Sequence, residues 1–540
     1  MASSAPSRPA YLSRGTFRAL FVLIILGGAA LRIVDYPHIP PGFNQDEASS
    51  AYEAYCLALT GADRWGNVLP PYFPSWGSGQ SVLLSYLSAP IVRWFGLSVF
   101  TARLVPLILG LLTVPLLGWG LRPLGRRTTL LGMLLIAIVP WHFMLSRWGL
   151  ECNLVPFFML LGCVFLSRGL ISGKRRYILP SLLPFALALY CYGTTAVVLP
   201  LMAGMLLVLH WQRFRQRGRM WLLALLPAAL LALPFAIFFL ENQVLGHNLA
   251  WTDRLPFSTP MLPATRLSQV SGGWLSTLRH NLAFFANGFD DHTPYNKMQG
   301  YPLLLLPTWP LAIVGICGAA YVLLRVRRAK GRPSSDQIVL SIYLCWALAA
   351  LPLLALFVQN VNRFNHFYLP AIVLAAWAAE RLISILAARV PGRLLWGCLL
   401  LWLLAEGGLA AGHYFRHYKE GEIREHFNAG LEEAFGAAKS LPVAQVHISS
   451  NMLLPYVYTL VFTQYPPRDF QREAVYTIHD GVYDVARFGR YVFHKDALTP
   501  GTPYGYLARK GDIPLDTHPA HRVVWTNDGW EVGVMEGMSK

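Results

Sequence analysis

Acidic residues are the scarce component of this 540-residue chain: 28 Asp and Glu stand against 45 Lys and Arg, and charged residues of both signs make up only 14% of the whole. Soluble domains carry about a quarter of their residues as charges, so this composition, with 54% hydrophobic residues, excludes an ordinary soluble enzyme. Cysteine is sparse too. Its seven copies (Cys56, Cys152, Cys163, Cys191, Cys317, Cys345 and Cys398) include no CxxC pair, which argues against a disulfide framework and a zinc site. There is no Gly-Lys-Ser/Thr phosphate loop, no Gly-rich dinucleotide loop and no Gly-x-Ser-x-Gly elbow. A cytosolic nucleotide is therefore not the energy source, and no cofactor is expected. His413 and His417 have the i, i+4 spacing of helical metal ligands, but no acid or cysteine stands at a matching offset, so no metal site is expected either.

What charge there is lies unevenly. The gaps Arg8 to Arg18, Arg122 to Arg127, Arg168 to Arg176, Arg213 to Arg219, Arg325 to Arg332 and Arg389 to Arg393 hold 21 of the 45 Lys and Arg residues and no Asp or Glu. Cytoplasmic loops of membrane proteins are enriched in Lys and Arg, so these gaps mark the cytoplasmic side. The net charge of +17 sits in short loops facing anionic headgroups, and nucleic-acid binding is not expected.

A membrane-spanning helix needs about 20 mainly apolar residues. That predicts about eleven spans, at roughly 17 to 34, 101 to 121, 128 to 145, 152 to 168, 177 to 193, 195 to 211, 220 to 240, 302 to 324, 338 to 358, 367 to 388 and 394 to 412. The apolar stretch Val82 to Phe95 is too short and contains Pro90 and Arg93; it reads as an interfacial helix on the outer surface, with Trp76 and Trp94 at headgroup depth. With a cytoplasmic N-terminus, residues 35 to 100, residues 241 to 301 and everything after about residue 413 lie outside, in the cell (inner or plasma) membrane and beyond it. The last part is less hydropathic. It predicts a helix over 423 to 438, a strand over 443 to 449, an apolar segment over 454 to 462 and a hairpin over 522 to 534 turning at Asn527-Asp528-Gly529, enough for a small α/β domain.

Against this background the polar clusters stand out. Asp46 and Glu47 open the first outer helix just past the first span. A carboxylate at a helix N-terminus is favoured by the helix dipole and stays ionised, as a general base requires; the same pair would also serve simply to cap and solvate the helix end. Arg147 and Glu151 close the third span at i and i+4. They form either an ion pair worth a few tenths of a kcal/mol or a site in which Arg holds an anionic headgroup and Glu holds sugar hydroxyls. Arg363, bracketed by Asn360, Asn362 and Asn365 at the outer end of the ninth span, runs against the charge bias. It reads as a phosphate and sugar site shared with Asn362, or as an Arg snorkelling to outer-leaflet phosphates.

These segments resemble the GT-C superfamily of membrane glycosyltransferases, specifically the family 39 group of protein O-mannosyltransferases and lipid A aminoarabinose transferases, over roughly residues 15 to 410. The resemblance rests on Gly42-Phe43-Asn44-Gln45-Asp46-Glu47-Ala48, on Phe95-Gly96-Leu97 followed by Thr101-Ala102-Arg103-Leu104, on Pro140 to Glu151, and on Asn362-Arg363 leading to Leu369-Pro370. It implies transfer of a sugar from a polyprenyl-phosphate donor to a lipid, glycan or protein acceptor on the extracytoplasmic face, with inversion. Asp46 would deprotonate or align the acceptor, Glu47 would hold the acceptor or the donor sugar, and Arg363 with Arg147 would neutralise the leaving phosphate. Residues 1–412 would be the transmembrane glycosyltransferase domain and 413–540 an extracytoplasmic domain. One departure is visible. The Lys-Pro or His-Pro-Pro element that related sequences often carry before the interfacial helix is replaced by Tyr72-Phe73-Pro74-Ser75-Trp76-Gly77-Ser78-Gly79-Gln80-Ser81. On this reading Lys297 or Arg147 substitutes for the missing base, and the element ending in Gln80 lets the backbone approach the sugar. Two other classes stay open: a polytopic transporter or flippase of lipid-linked sugars, which would need ionisable residues near mid-membrane where little but Glu406 lies, and a polysaccharide polymerase or ligase.

Overall fold

The computed structural model describes residues 12–75, 79–262, 273–329, 331–479, 482–512 and 521–535. Trp76, Gly77 and Ser78 of the departing element lie outside the described residues. The chain enters through α1 (Arg14–Ile33), capped by Ser13, whose hydroxyl accepts the Thr16 N–H at 3.0 Å. The segment expected to form the first outer loop folds into α2 (Gln45–Thr60), a small hairpin of β1 (Tyr72–Phe73) and β2 (Gln80–Ser81), and α3 (Leu83–Phe95). Next come α4 (Val99–Leu121), α5 (Arg126–Ile138), α6 (Pro140–Leu145), α7 (Val155–Ser172), α8 (Arg175–Ile178), α9 (Leu183–Ala188), α10 (Thr195–Gln216) and α11 (Gly218–Phe239). The segment after α11, expected to form the second outer loop, carries α12 (Trp274–Ala286). It leads into α13 (Thr308–Arg328), α14 (Ser335–Ala350), the single turn α15 (Leu353–Leu356), α16 (Asn365–Leu386) and α17 (Gly392–Arg416).

Among the described residues, nine of these helices (α1, α4, α7, α10, α11, α13, α14, α16 and α17) are long and apolar enough to cross a membrane. The chain is a polytopic α-helical membrane protein. The other two stretches expected to span are broken into short helices, for local reasons. A residue ahead of proline is pushed out of the helical region, and Val139, ahead of Pro140, is extended (φ −65°, ψ 130°), which separates α5 from α6. The freed Trp141 N–H donates to Leu303 O at 3.1 Å instead. Pro180 and Pro184 likewise leave only α8 and α9 between residues 175 and 188.

Helix α16 is the centre of the bundle and is buried along most of its length. Its alanines let neighbours approach: Gly315 of α13 sits so close that a Cβ there would lie 2.3 Å from Leu374 O. Small residues at helix crossings are how membrane helices gain dispersion contact without a hydrophobic driving force.

Beyond α17 the chain builds a mixed domain from α18 (Glu422–His426), α19 (Leu431–Lys439), β3 (Val446–Ile448), α20 (Pro455–Thr463), α21 (Pro467–Glu473), β4 (Val475–His479), β5 (Val482–Phe488), β6 (Tyr491–Val492), β7 (Tyr504–Arg509), β8 (His521–Thr526) and β9 (Trp530–Met535). The strands form one sheet in the order β4-β5-β6-β3-β7-β9-β8, with β3 parallel to both its neighbours and the remaining pairs antiparallel. The expected helix over 423 to 438 is two helices, because Asn428 (φ 48°) and Gly430 (φ 81°) turn the chain between them. The expected hairpin is present as β8 and β9, and Asn527 Oδ1 closes its turn by accepting from the Gly529 and Trp530 N–H groups. The apolar segment over 454 to 462 is α20.

The hydrophobic core of this domain does not stop at residue 413. Phe43, Ala51, Tyr52 and Ala54 of the first outer segment are buried in one cluster with Leu431, Phe435, Tyr458 and Leu460. Tyr52 Oη donates to Tyr465 O at 2.7 Å, and Gln464 Nε2 donates to Leu97 O at 3.1 Å. Helix α2 is thus clamped between the membrane bundle and the C-terminal domain.

Candidate functional site

The site is built from the start of α2. Asn44 caps the helix, its Oδ1 accepting the Asp46 N–H at 3.0 Å while its Nδ2 donates to His426 O at 3.2 Å. Two residues earlier, Gly42 has φ +77°, and a Cβ there would stand 2.2 Å from Phe427 O, so only glycine lets this loop seat against the C-terminal domain. Phe43 N–H donates to that same carbonyl.

Glu47 points inward and is fully engaged. Arg103, two residues past Thr101 of the Ser98–Thr101 capping box that starts α4, reaches it in a fork: Nε donates to Oε1 at 2.7 Å and Nη2 to Oε2 at 2.8 Å. The Gly149 N–H adds a third bond to Oε1 at 2.7 Å. Arg103 also donates to the carbonyls of Pro37, Pro40 and Gly42, and both side chains are fully buried. A buried ion pair holds only where the remaining donors and acceptors are met, and here the fork, three loop carbonyls and one amide meet them.

Asp46, the neighbouring residue, is half-buried, and its backbone carbonyl meets a different group. Gln80 of β2 donates through Nε2 to Asp46 O (3.1 Å), to Ser50 Oγ (2.9 Å) and to Glu151 Oε2 (3.4 Å). Gln80 is 1% exposed, and its Oε1 has no hydrogen-bond partner among the described residues. The structure therefore brings Asp46, Gln80 and Glu151 together. The Asp46 charge is felt on two further sides. Burial first, then the Asp46 carboxylate, pushes the Tyr295 hydroxyl up to about 12, and burial followed by Asp46 and Glu47 raises that of Tyr458 well above the ordinary range. Tyr295 comes from the second outer segment, with its ring edge-on to Trp148, and Tyr458 comes from α20.

Lys297, Asn362 and Arg363 sit on two loops that Asp291 ties together: its Oδ2 accepts from Asn296 Nδ2 at 2.7 Å and from the Val361 N–H at 3.0 Å. Lys297 Nζ donates to Asp290 Oδ2 at 2.7 Å. Arg363 is half-buried, donates from Nη1 to Val358 O at 2.8 Å, and has its N–H capped by Asn360 Oδ1 at 2.8 Å. Asn362 is half-buried beside it. Asn365 fastens this corner to the centre, accepting from Trp141 Nε1 at 2.8 Å and donating to Cys152 O at 3.2 Å, one residue from Glu151.

Arg147 and Glu151 do not share a helix face. Helix α6 ends at Leu145, and Glu151 belongs to a separate 3-10 turn, Glu151–Leu154. Arg147 turns away from Glu151: its guanidinium donates to the carbonyls of Leu31, Arg32, Asp35 and Ile39 and lies over the rings of Tyr414 and Phe415. It closes the C-terminal end of α1, where unpaired carbonyls and the helix dipole favour a cation. Glu151 goes to Gln80.

Sequence reasoning gave no role to Arg103 or Tyr295. For Arg103 the signal was available, since it is a basic residue at the end of a span expected to face outward, the same irregularity that drew attention to Arg363. Tyr295 carried none; a tyrosine in a long loop becomes notable only when the loop is folded over the carboxylates.

The model of the dolichyl-phosphate-mannose-protein mannosyltransferase family matches residues 80–238. No curated protein matches the chain by sequence. Among solved structures, ArnT from Cupriavidus metallidurans in its apo state superposes with a TM-score of 0.58 at 14% identity, covering 97% of this chain and 98% of that one. The same enzyme bound to undecaprenyl phosphate gives a TM-score of 0.59 at 15% identity, with the same coverage. Because the likeness runs over nearly the whole of both chains, through bundle and C-terminal domain alike, this chain has the fold of ArnT.

Proposed function

We propose that the protein is an integral membrane glycosyltransferase that moves a sugar from a polyprenyl-phosphate donor to an acceptor on the extracytoplasmic face, with inversion. The observation that carries this reading is the split between two adjacent carboxylates. Glu47 is neutralised by Arg103 and holds the start of α2 in place, while Asp46 stands beside Gln80 and Glu151 at the junction of bundle, second outer segment and C-terminal domain. Asp46 takes the proton of the acceptor hydroxyl as its oxygen forms a bond to C1 of the sugar; the C1–O bond to phosphate breaks, and the electron pair leaves with polyprenyl phosphate. The bare Oε1 of Gln80 and the carboxylate of Glu151 meet sugar hydroxyls. Lys297 and Arg363, on the two loops that Asp291 joins, are assigned to the departing phosphate charge, whose stabilisation supplies much of the rate in such a site. We assign Arg147 to the wall that supports the site. The solved ArnT complex with undecaprenyl phosphate supports the donor class.

This reading includes eleven crossings, counting α5 with α6 and α8 with α9, and a cytoplasmic N-terminus. It also divides the chain into a transmembrane domain over 1–412 and an extracytoplasmic one over 413–540. Helix α3 lies in the outer interface: its 13 residues reach roughly 20 Å at about 1.5 Å per residue, short of the roughly 30 Å hydrocarbon core, and Trp94 and Phe95 are exposed at its end.

The decisive variant is Asp46→Asn, which keeps the shape and removes the base. Transfer from polyprenyl-phosphate sugar should fall by about a hundredfold to ten-thousandfold with donor binding retained. Near-normal turnover overturns the assignment. Orientation is checked by labelling single cysteines in intact cells: Thr293→Cys and Ser449→Cys should react with an impermeant reagent and Ser172→Cys and Ser334→Cys should not. Labelling at residue 334 would turn the protein over.

A further inference from the structure

The C-terminal domain contains a cavity of about 260 Å³ between the loop that leads into α20 and the β5–β6 hairpin. Tyr456, Tyr483 and Phe493 form its aromatic lining, Leu453 stands at it 64% exposed, and Asp484 and His494 supply its polar wall. The last two are paired, Oδ1 to Nε2 at 2.9 Å, because the hairpin register (Phe488 opposite Tyr491, Phe493 N–H donating to Ala486 O) carries residue 494 back alongside residue 484. Leu454, also in the lining, holds the left-handed region at φ 55°, a conformation a branched apolar residue rarely adopts, and so turns the chain at the cleft just before α20. The proposed transfer site uses none of these residues.

We propose that this cleft binds one sugar residue of a saccharide acceptor. The inference rests on the glycosyltransferase reading for the word acceptor, but the cleft's chemistry is its own. Pockets for drug-sized ligands run from about 300 to 1,000 Å³, so this one has room for a single ring and not for an acyl chain or a helix. A carboxylate beside an imidazole offers acceptors and a donor at the spacing of neighbouring hydroxyls, while aromatic walls suit the C–H faces of a pyranose. The cleft is also mechanically joined to α2. Trp65, just past the end of that helix, stacks on Tyr483 with ring centroids 3.9 Å apart and meets Tyr456 at 6.3 Å. Asp46 lies at the opposite end of α2, roughly 20 Å away at about 1.5 Å per residue. An acceptor that fills both places is therefore longer than one sugar, and the C-terminal domain selects for that length.

The test is saturation-transfer NMR on the full-length protein in nanodiscs, with methyl α-mannopyranoside, methyl β-glucopyranoside and methyl N-acetyl-β-glucosaminide as probes. Ring-proton transfer is expected for at least one glycoside with wild type and with Tyr483→Phe, and at least a fivefold loss with Tyr483→Ala and with the surface change Asp484→Asn. No transfer above empty nanodiscs, or equal transfer with Tyr483→Ala and Asp484→Asn, overturns the proposal. Slow hydrolysis of polyprenyl-phosphate sugar by wild type without acceptor reports separately on the transferase reading, so the two fail independently.

Discussion

Helix α2 carries a buried glutamate–arginine pair toward each end, Glu47 with Arg103 at its start and Glu53 with Arg64 in its second half. Both pairs are essentially inaccessible to solvent, and both arginines also reach backbone carbonyls. They differ in what they join. Arg103 comes from α4, 56 residues away in sequence, and draws the loop from Pro37 to Gly42 onto the bundle. Arg64 is 11 residues from Glu53, and the pair folds the turn after α2 back onto its own helix, with Ser49 as third partner. The first pair fixes where Asp46 stands relative to Gln80 and Glu151; the second fixes where Trp65 stands relative to the C-terminal domain. The same chemistry positions a carboxylate at one end and a docking surface at the other.

Breaking the pairs one at a time separates these roles. Arg103→Ala leaves Glu47 buried and unpaired and releases three loop carbonyls, so we expect a loss of about 3–5 kcal/mol or more in thermal unfolding in detergent, together with loss of transfer by the molecules that remain folded. Arg64→Ala should destabilise by a similar or slightly smaller amount, about 3–5 kcal/mol, yet leave kcat per folded molecule near wild type. If both variants lose turnover equally, the two ends of α2 are not functionally distinct.

A pH experiment sharpens the second end. Burial above all, and then the Glu53 charge, raises the Asp63 carboxyl to about 7, against hydrogen bonds from Asn67 and from the Trp65 N–H. A raised acid favours the folded state while it is protonated in both states and ceases to do so as it ionises. Stability should therefore be greatest below about pH 4, fall between about pH 4 and 7 by roughly 4 kcal/mol from this group, and level off above that. The difference in unfolding temperature between wild type and Asp63→Asn, measured from pH 5 to pH 8, isolates that share; a difference that does not vary with pH refutes it.

The smallest effect is expected at the rim of the first end. Arg363→Ala should weaken apparent donor affinity by about 1.5–3 kcal/mol, roughly tenfold to a hundredfold, and Arg363→Lys should restore only part of it because a point charge cannot replace the planar fork. Unchanged donor affinity in the alanine variant would leave Arg363 as a loop anchor through Val358 and Asn360.

The sequence alone made the membrane class legible. Hydrophobic runs of spanning length are a one-dimensional property, and so is the alternation of basic gaps. The NDG hairpin at residues 527 to 529 was equally legible, because its turn chemistry is local. Asp46 stood out as a candidate because a helix start and the end of an apolar run are both visible in one dimension. Local breaks were harder to read: Pro140 and Pro180 interrupt runs that hydropathy alone treats as continuous, and Asn428 with Gly430 splits an amphipathic pattern that would otherwise make one helix.

Only the tertiary structure decided which charges meet. A spacing of i, i+4 put Arg147 and Glu151 on one face, but the helix stops at Leu145, and the two side chains go to α1 and to Gln80 respectively. Glu47 and Asp46 are indistinguishable neighbours until Arg103 arrives from α4 and takes one of them. The inclusion of α2 in the core of the C-terminal domain, some 400 residues downstream, was likewise beyond any local pattern. Spans and turns follow from the preferences of residues close in sequence. The partner of a buried charge depends on which distant side chain can meet it at hydrogen-bonding distance, and that is settled only when the chain has folded.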